Sequence, residues 1–191
     1  MAEKIDEIQQ AKEIDIQLYK SFLNGNKESF NAIVKKYRKT LISFIVGYVK
    51  NQDAAEDIAQ DTFVYMLINK KEYDFKYTLK TYLYTIAKCR AINYLKKSKR
   101  SLNFEENYIY DLDYKNIDER LIQEETQKEI RKSIKKLKSN YQVAIYLRDI
   151  QGFQYKEICE ILNKTMPQTK MLVHRARKSL EKTLKKEGHI C

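Results

Sequence analysis

The sequence contains little glycine and little proline, four residues of the first and one of the second in a chain of 191. Tight turns between strands and phosphate-binding loops both need glycine at defined positions, which excludes a sheet-rich protein and a glycine-rich nucleotide loop. Ile, Leu, Lys and Glu are abundant instead, and long helices tolerate few helix breakers. The composition therefore predicts an all-α chain.

Cysteines and long apolar runs are also scarce. The three cysteines, Cys89, Cys159 and Cys191, are odd in number and far apart, which predicts free thiols in a reducing compartment. Residues 1–10 lack the apolar segment of a signal peptide, and no run approaches 18 apolar residues. We expect a cytoplasmic protein without membrane insertion.

Acidic residues are outnumbered by basic ones, 26 to 37, for a net charge of +11. Residues 1–100 carry a net charge of +7, residues 101–125 of −6 and residues 126–191 of +10. We interpret the two basic segments as small helical domains joined by an acidic flexible linker. Basic domains suggest an anionic partner, most often nucleic acid. The linker is either a solvated tether or a segment that occupies a channel built for nucleic acid.

Apolar residues in the first domain recur at the three- and four-residue spacing of amphipathic helices. Polar residues predict three helix breaks, at Gly25–Asn26, Asn51–Gln52 and Lys70–Lys76. Asp53 with Glu56 matches a capping box that opens the third helix. A fourth helix is predicted from about Thr78 to Lys97.

One face of the predicted third helix is acidic. Residues at positions i, i+3, i+4, i+7 and i+8 share one side of a helix, and here they are Asp53, Glu56, Asp57, Gln60 and Asp61. A basic protein partner or a divalent cation would offset the repulsion among these carboxylates. A solvated face stabilised by the helix dipole is the alternative.

The segment 73–100 combines aromatic and basic side chains. The aromatic residues that can stack on unpaired bases are Tyr73, Phe75, Tyr77 and Tyr82. The basic residues that can meet phosphates are Lys76, Lys80, Lys88, Lys96, Lys97 and Arg100. This combination is typical of single-stranded DNA binding, and half-buried structural tyrosines are the alternative.

The second domain also begins with helix signals. Ser139 with Gln142 matches a capping box, and Gly152 stands where the residue after a helix end belongs.

Residues 155–180 predict a helix-turn-helix. The first helix is expected over Tyr155–Leu162, with Asn163 in a left-handed turn. Thr165 and Gln168 match a capping box for the second helix, with Pro167 in its first turn.

The two faces of that second helix differ. The side chains expected inward are Thr169, Val173, Ala176 and Leu180. The side chains expected to contact base edges and phosphates in a major groove are Gln168, Lys170, Met171, His174, Arg175 and Lys178. An ordinary helical hairpin with a solvated basic face is the alternative.

Several stretches, in this order along the chain, resemble the extracytoplasmic-function sigma factors of the sigma-70 family. They are Asp15–Tyr37, Ala55–Phe63, Thr81–Lys97 and Tyr155–Leu180. The resemblance implies sigma region 2 in residues 1–100 and sigma region 4 in residues 126–191.

The resemblance further implies a non-catalytic specificity subunit of RNA polymerase that needs no cofactor. The acidic face, chiefly Asp57, Gln60 and Asp61, would dock on the clamp of the largest polymerase subunit, and the flap of the second largest subunit would be a further partner. The fourth helix, including Asn93, would recognise and open the −10 element of promoter DNA. The unit from Tyr155 to Lys178 would bind the −35 element. An anti-sigma factor is expected as a regulator, and the linker would thread toward the polymerase active-site cleft.

Two other functions compete with this one. A helix-turn-helix repressor or activator would use residues 155–180 alone and leave the acidic face and residues 73–100 without a role. A metal-dependent nuclease would use the carboxylates of the third helix, although metal sites usually gather ligands from several elements.

Overall fold

A computed structural model describes residues 2–101 and 124–188, with side chains from 10 to 98 and from 130 to 188. Its helices are α1 (Ala2–Leu23), α2 (Lys27–Val49), α3 (Gln52–Ile68), α4 (Leu79–Ser101), α5 (Glu124–Lys135), α6 (Ser139–Ile145), α7 (Tyr155–Leu162) and α8 (Met166–Lys186). The described residues contain no strand, so the all-α prediction is confirmed. Most of the acidic linker, residues 102–123, lies outside them, as does Cys191. None of the helices within these ranges is long and apolar enough to cross a membrane.

Helix breaks in the first domain follow local capping rules. Asn26 caps α2 by accepting a hydrogen bond from the Ser29 amide, as the predicted break requires. The capping box predicted at Asp53 is wrong, because the side chain of Asn51 accepts from the Ala54 amide at 2.8 Å and α3 begins at Gln52. Asp53 then lies in the first turn, where a carboxylate interacts favourably with the helix dipole.

The capping box predicted at Ser139 is also wrong, because both of its side chains have partners elsewhere. The Ser139 hydroxyl donates to the carbonyl of Gly47 at 2.8 Å, and the Gln142 amide donates to the carbonyls of Lys135 and Leu137. Helix α6 continues as a π-helical turn over Tyr146–Ile150. Gly152 follows with a φ of 71°, which confirms its prediction as the residue after a helix end.

Helix α2 is central to the first domain, with α1, α3 and α4 packed around it. Its inward side chains Ile33, Leu41 and Ile45 are fully buried. Helix α1 is fixed to α2 by the buried carboxylate of Asp15, which accepts from the Tyr37 hydroxyl and is paired with the Lys36 ammonium.

The two domains share part of a hydrophobic core. One buried cluster of the second domain holds α5, α6 and α8 together, and includes Leu137, Ile145 and Val173. Other buried residues of the second domain pack into the cluster of the first domain; they are Val143, Tyr146, Leu147, Phe153, Ile158 and Ile161. The charge pattern predicted two domains but did not predict that they would pack against each other.

Candidate functional site

The helix-turn-helix has the predicted boundaries. Helix α7 spans Tyr155–Leu162, and Asn163 follows in the left-handed conformation at a φ of 51°. Thr165 and Gln168 form the predicted capping box, each side chain accepting from the backbone amide of the other. These local signals predicted the unit because each of them depends on residues close in sequence.

Helix α8 presents its predicted recognition face to solvent. Thr169, Val173 and Ala176 are buried and Leu180 is half-buried, as predicted. All six predicted contact residues are exposed, namely Gln168, Lys170, Met171, His174, Arg175 and Lys178.

Helix α3 presents the predicted acidic face. Asp53, Asp57, Gln60 and Asp61 are exposed, and Glu56 is half-buried. Two of the carboxylates have partners within the chain: Arg38 lies 3.2 Å from Glu56, and Arg90 lies 3.6 Å from Asp61. The face continues toward the helix end as exposed apolar side chains, which are Val64, Leu67 and Ile68.

The aromatic residues before α4 form a cluster, which changes part of the prediction. Tyr73 is 4% exposed, and its ring centroid lies 4.7 Å from Tyr19 and 5.0 Å from Tyr82. Phe75 is half-buried against the same rings. The prediction that Tyr73 and Phe75 are available to stack on bases is therefore wrong. Their rings fill the space between α1 and α4 instead.

A cavity of about 220 Å³ opens beside this aromatic cluster. Its lining residues are Glu72, Tyr73, Asp74, Lys76, Tyr77, Thr81, Tyr82, Thr85 and Glu160. The hydroxyl of Tyr82, one of these residues, is inaccessible to solvent and has no hydrogen-bond partner. Burial also raises the pKa of Tyr82 to about 12, so the hydroxyl keeps its proton. The wall of the cavity combines aromatic rings with polar side chains, which is a suitable combination for a nucleobase.

The other predicted −10 residues differ in exposure. Lys76, Asn93, Lys96 and Lys97 are exposed, whereas Tyr77, Lys80 and Lys88 are half-buried. The side chain of Arg100 lies outside the described residues.

The sequence did not predict that two carboxylates of α7 would contact residues at the start of α4. The Glu157 carboxylate accepts hydrogen bonds from the hydroxyls of Thr78 and Thr81, at 2.9 Å each. Glu160 lines one cavity together with Tyr77, and its interaction with the Tyr77 hydroxyl raises the pKa of that group. The sequence pattern gives no signal for these pairs, because they join residues more than seventy positions apart.

The carboxylates of α3 do not converge on a metal site. Within residues 2–101 and 124–188, no group of three or more His, Cys, Asp or Glu side chains is arranged to hold a metal ion. The carboxylates lie along one helix and face solvent, so no second element completes a coordination sphere.

Comparison with known proteins matches both domains. The family model described as Sigma-70 region 2 matches residues 33–101, and that described as Sigma-70, region 4 matches residues 127–180. The chain is 28% identical to RNA polymerase sigma factor YlaC of Bacillus subtilis, over 84% of this chain and 95% of that protein. It is 28% identical to the ECF RNA polymerase sigma factor SigW of the same organism, over 87% of this chain and 94% of that protein.

The fold agrees with a solved structure of the same class. The sigma factor RpoE, in complex with the anti-sigma factor NepR from Bartonella quintana, superimposes with a TM-score of 0.63 at 23% identity. The superposition covers 83% of this chain and 98% of that one. The two family models and the relatives define a two-region transcription factor. The chain belongs to the sigma-70 family, among its extracytoplasmic-function sigma factors.

Proposed function

We propose that this sigma factor directs core RNA polymerase to promoters by binding the −35 element with α8 and opening the −10 element with α4 and the segment before it. Sigma factors act by binding rather than by catalysing a reaction. The observation that carries the proposal is the presence of two exposed surfaces of opposite charge in one chain, the acidic face of α3 and the basic face of α8. A repressor would need only the second surface.

The −35 element is assigned to the exposed face of α8. Arg175 and Lys170 can donate to guanine edges or phosphates, and Gln168 can pair with adenine. Met171 is 50% exposed, and its side chain can contact the methyl group of thymine. The capped, exposed N-terminal turn of α8 supports this orientation, because such a helix end enters the major groove in helix-turn-helix proteins.

Core polymerase is assigned to the acidic face of α3. Asp57 and Gln60 are exposed there, and Asp61 keeps most of its surface despite its ion pair with Arg90. The charge of this face would complement a basic surface on the clamp of the largest subunit, and charge complementarity speeds association. A flap contact for region 4 follows from the family rather than from a surface identified on this chain.

The −10 element is assigned to α4 and residues 73–78. The cavity beside Tyr82 would receive a base extruded from the duplex, since an extruded base can stack on aromatic side chains and form hydrogen bonds through its Watson–Crick edge. Exposed lysines on α4, including Lys96 and Lys97, would follow the strand backbone. Asn93 is exposed on the same helix and is available to a base.

An anti-sigma factor is the remaining partner that we propose. The support is that RpoE, which has the same fold, was solved in complex with an anti-sigma factor.

The experiment that tests the function is run-off transcription on fragmented genomic DNA with purified bacterial core RNA polymerase, with and without this protein. Discrete transcripts that depend on the protein would establish promoter-directed initiation and map the promoters. If no new transcript forms and the protein does not co-elute with core polymerase, the chain is a repressor or activator instead.

Two variants test the α8 surface and the α3 surface independently of each other. Arg175→Ala is expected to lower promoter-specific transcription while core binding is retained, and Lys182→Ala, also exposed on α8, is the matched control. Asp57→Arg is expected to lower co-elution with core polymerase, and Glu13→Arg, an exposed charge reversal on α1, is its control. Normal binding of core polymerase by Asp57→Arg would contradict the assignment of core polymerase to the acidic face of α3.

A further inference from the structure

A second cavity, of about 360 Å³, opens between the two domains and shares no lining residue with the cavity beside Tyr82. Residues of α1, α2 and the start of α4 form one side of it, and the segment from Gln151 to Glu157 forms the other. Pockets for small molecules usually measure about 300–1,000 Å³. The cavity therefore has room for a small organic molecule, which would contact both domains.

Basic side chains outnumber acidic ones in the wall of this cavity. Its charged residues are Lys12, Lys36, Lys80, Asp15 and Glu157. Three positive charges against two negative ones leave a net charge of +1. A ligand with a single negative charge would balance it.

Both carboxylates already have partners within the chain. Asp15 is buried, accepts from the Tyr37 hydroxyl and is paired with the Lys36 ammonium. Glu157 accepts from two threonine hydroxyls at the start of α4 and from a backbone amide at the start of its own helix, each at 2.9 Å. The ammonium groups of Lys12 and Lys80 are left as the main positive charges of the wall.

Lys80 is half-buried, and its closest partners carry no negative charge. Its ammonium donates to the Gln151 carbonyl at 2.9 Å and lies 4.5 Å from the centre of the Phe153 ring. Burial lowers the pKa of Lys80 to about 8, and Glu157 offsets only part of this effect. An ammonium has three N–H donors, so Lys80 can also donate to an anion in the cavity.

Lys12 approaches the same cavity from α1. Its side chain is half-buried in the wall, and it has no ion pair within the part of the chain that the structure describes. The neighbouring wall is apolar, with the Ala11 methyl group and the Phe153 ring. Binding sites for small molecules commonly combine such an apolar wall with a few charged groups.

We propose that this cavity binds a small organic carboxylate, with the charged group held by Lys12 and Lys80 and the apolar body against Phe153. A carboxylate carries the single negative charge that balances the wall, whereas a phosphate monoester carries up to two at neutral pH. Lys12 belongs to the first domain and Phe153 to the second, so the ligand bridges them. The free chain forms the whole site, and the inference does not rest on the proposed function.

Nuclear magnetic resonance of the full-length chain, labelled with ¹⁵N, tests the proposal with benzoate as the probe. Benzoate is expected to shift the backbone amide signals of residues 11–12 and 151–154 along one saturable curve. Benzamide has the same shape without the charge and should bind at least tenfold more weakly, the equivalent of about 1.4 kcal/mol. Shifts that do not saturate, or equal affinities for the two probes, would overturn the proposal.

Filling the cavity tests its position. Ala11 is exposed to the cavity on α1, so Ala11→Phe should occupy the space and abolish benzoate binding while the chain stays folded. Gln10→Phe is the matched control, because residue 10 is exposed on the same helix and does not line the cavity. Unchanged affinity in Ala11→Phe would place the benzoate elsewhere and contradict the site.

Removing one ammonium tests the charge. Lys12→Gln should weaken benzoate binding about tenfold, because it removes a charge-assisted hydrogen bond. Lys20→Gln makes the same change at an exposed position of α1 outside the cavity and should bind benzoate like the wild type. Wild-type affinity in Lys12→Gln, with amide signals that show a folded chain, would refute the assignment of this lysine to the carboxylate.

Discussion

Tyr82→Phe is expected to stabilise the chain, although it removes a polar group from a partly buried site. The Tyr82 hydroxyl is inaccessible to solvent and has no hydrogen-bond partner. Its ring lies 5.0 Å from that of Tyr73, and phenylalanine would keep this packing. The substitution therefore removes a desolvated group and changes little else.

The size of the effect follows from the cost of burying a hydroxyl without a partner. That cost is about 1–3 kcal/mol, and we take the lower end because the residue is only partly buried. A gain of about 1 kcal/mol corresponds to a rise in the melting temperature of about 2–4 °C for a chain of this size.

Tyr73→Phe is the matched control, because it makes the same chemical change in the same aromatic cluster. The Tyr73 hydroxyl donates to the Tyr77 carbonyl at 2.7 Å, so its removal leaves a carbonyl without a partner. We expect a loss of about 1 kcal/mol. Urea unfolding followed by circular dichroism measures both variants, and a loss of stability in Tyr82→Phe would refute the reasoning.

Two further predictions concern the backbone and the interface. Asn163→Val should destabilise the chain by about 1–2 kcal/mol, because a β-branched residue is strained in the left-handed conformation, whereas Asn163→Gly should be tolerated; thermal unfolding distinguishes them. The lowered pKa of Lys80, about 8 against an ordinary 10.5, means that burying its charge costs stability at neutral pH and that this cost falls as pH rises above 8. The free energy of unfolding should therefore gain a rising component between pH 8 and 10.5 that Lys80→Met abolishes, and equal slopes for both proteins would contradict it.

The features predicted correctly from the sequence depend on short-range rules. Asn163 and Thr165 act on backbone groups within a few residues, so the sequence specifies the turn and both helix ends. The inward and outward faces of α8 follow from helical periodicity alone. The same rules placed the start of α4 within one residue of Thr78.

The features that were missed depend on partners far away in sequence. Ser139 matches the pattern of a helix cap, but its hydroxyl donates to Gly47 across the interface. The position of Tyr73 before a basic helix predicts a contact with DNA, yet its ring packs against Tyr19. The one signal available for the interface was Gly47, a glycine in the middle of a predicted helix, where close approach of another element is a common reason for its presence.

The chemistry of the interface determines how readily it can open. Its polar contacts include hydrogen bonds made by charged groups, such as Glu157 with Thr78 and Lys80 with Gln151, and hydrogen bonds of this kind contribute about 1.5–3 kcal/mol each. Its apolar contacts include the six buried residues of the second domain that pack into the cluster of the first, among them Phe153 against Tyr84, with ring centroids 4.9 Å apart. Six buried side chains contribute more than these hydrogen bonds, so the apolar contacts are the main term that holds the two regions together.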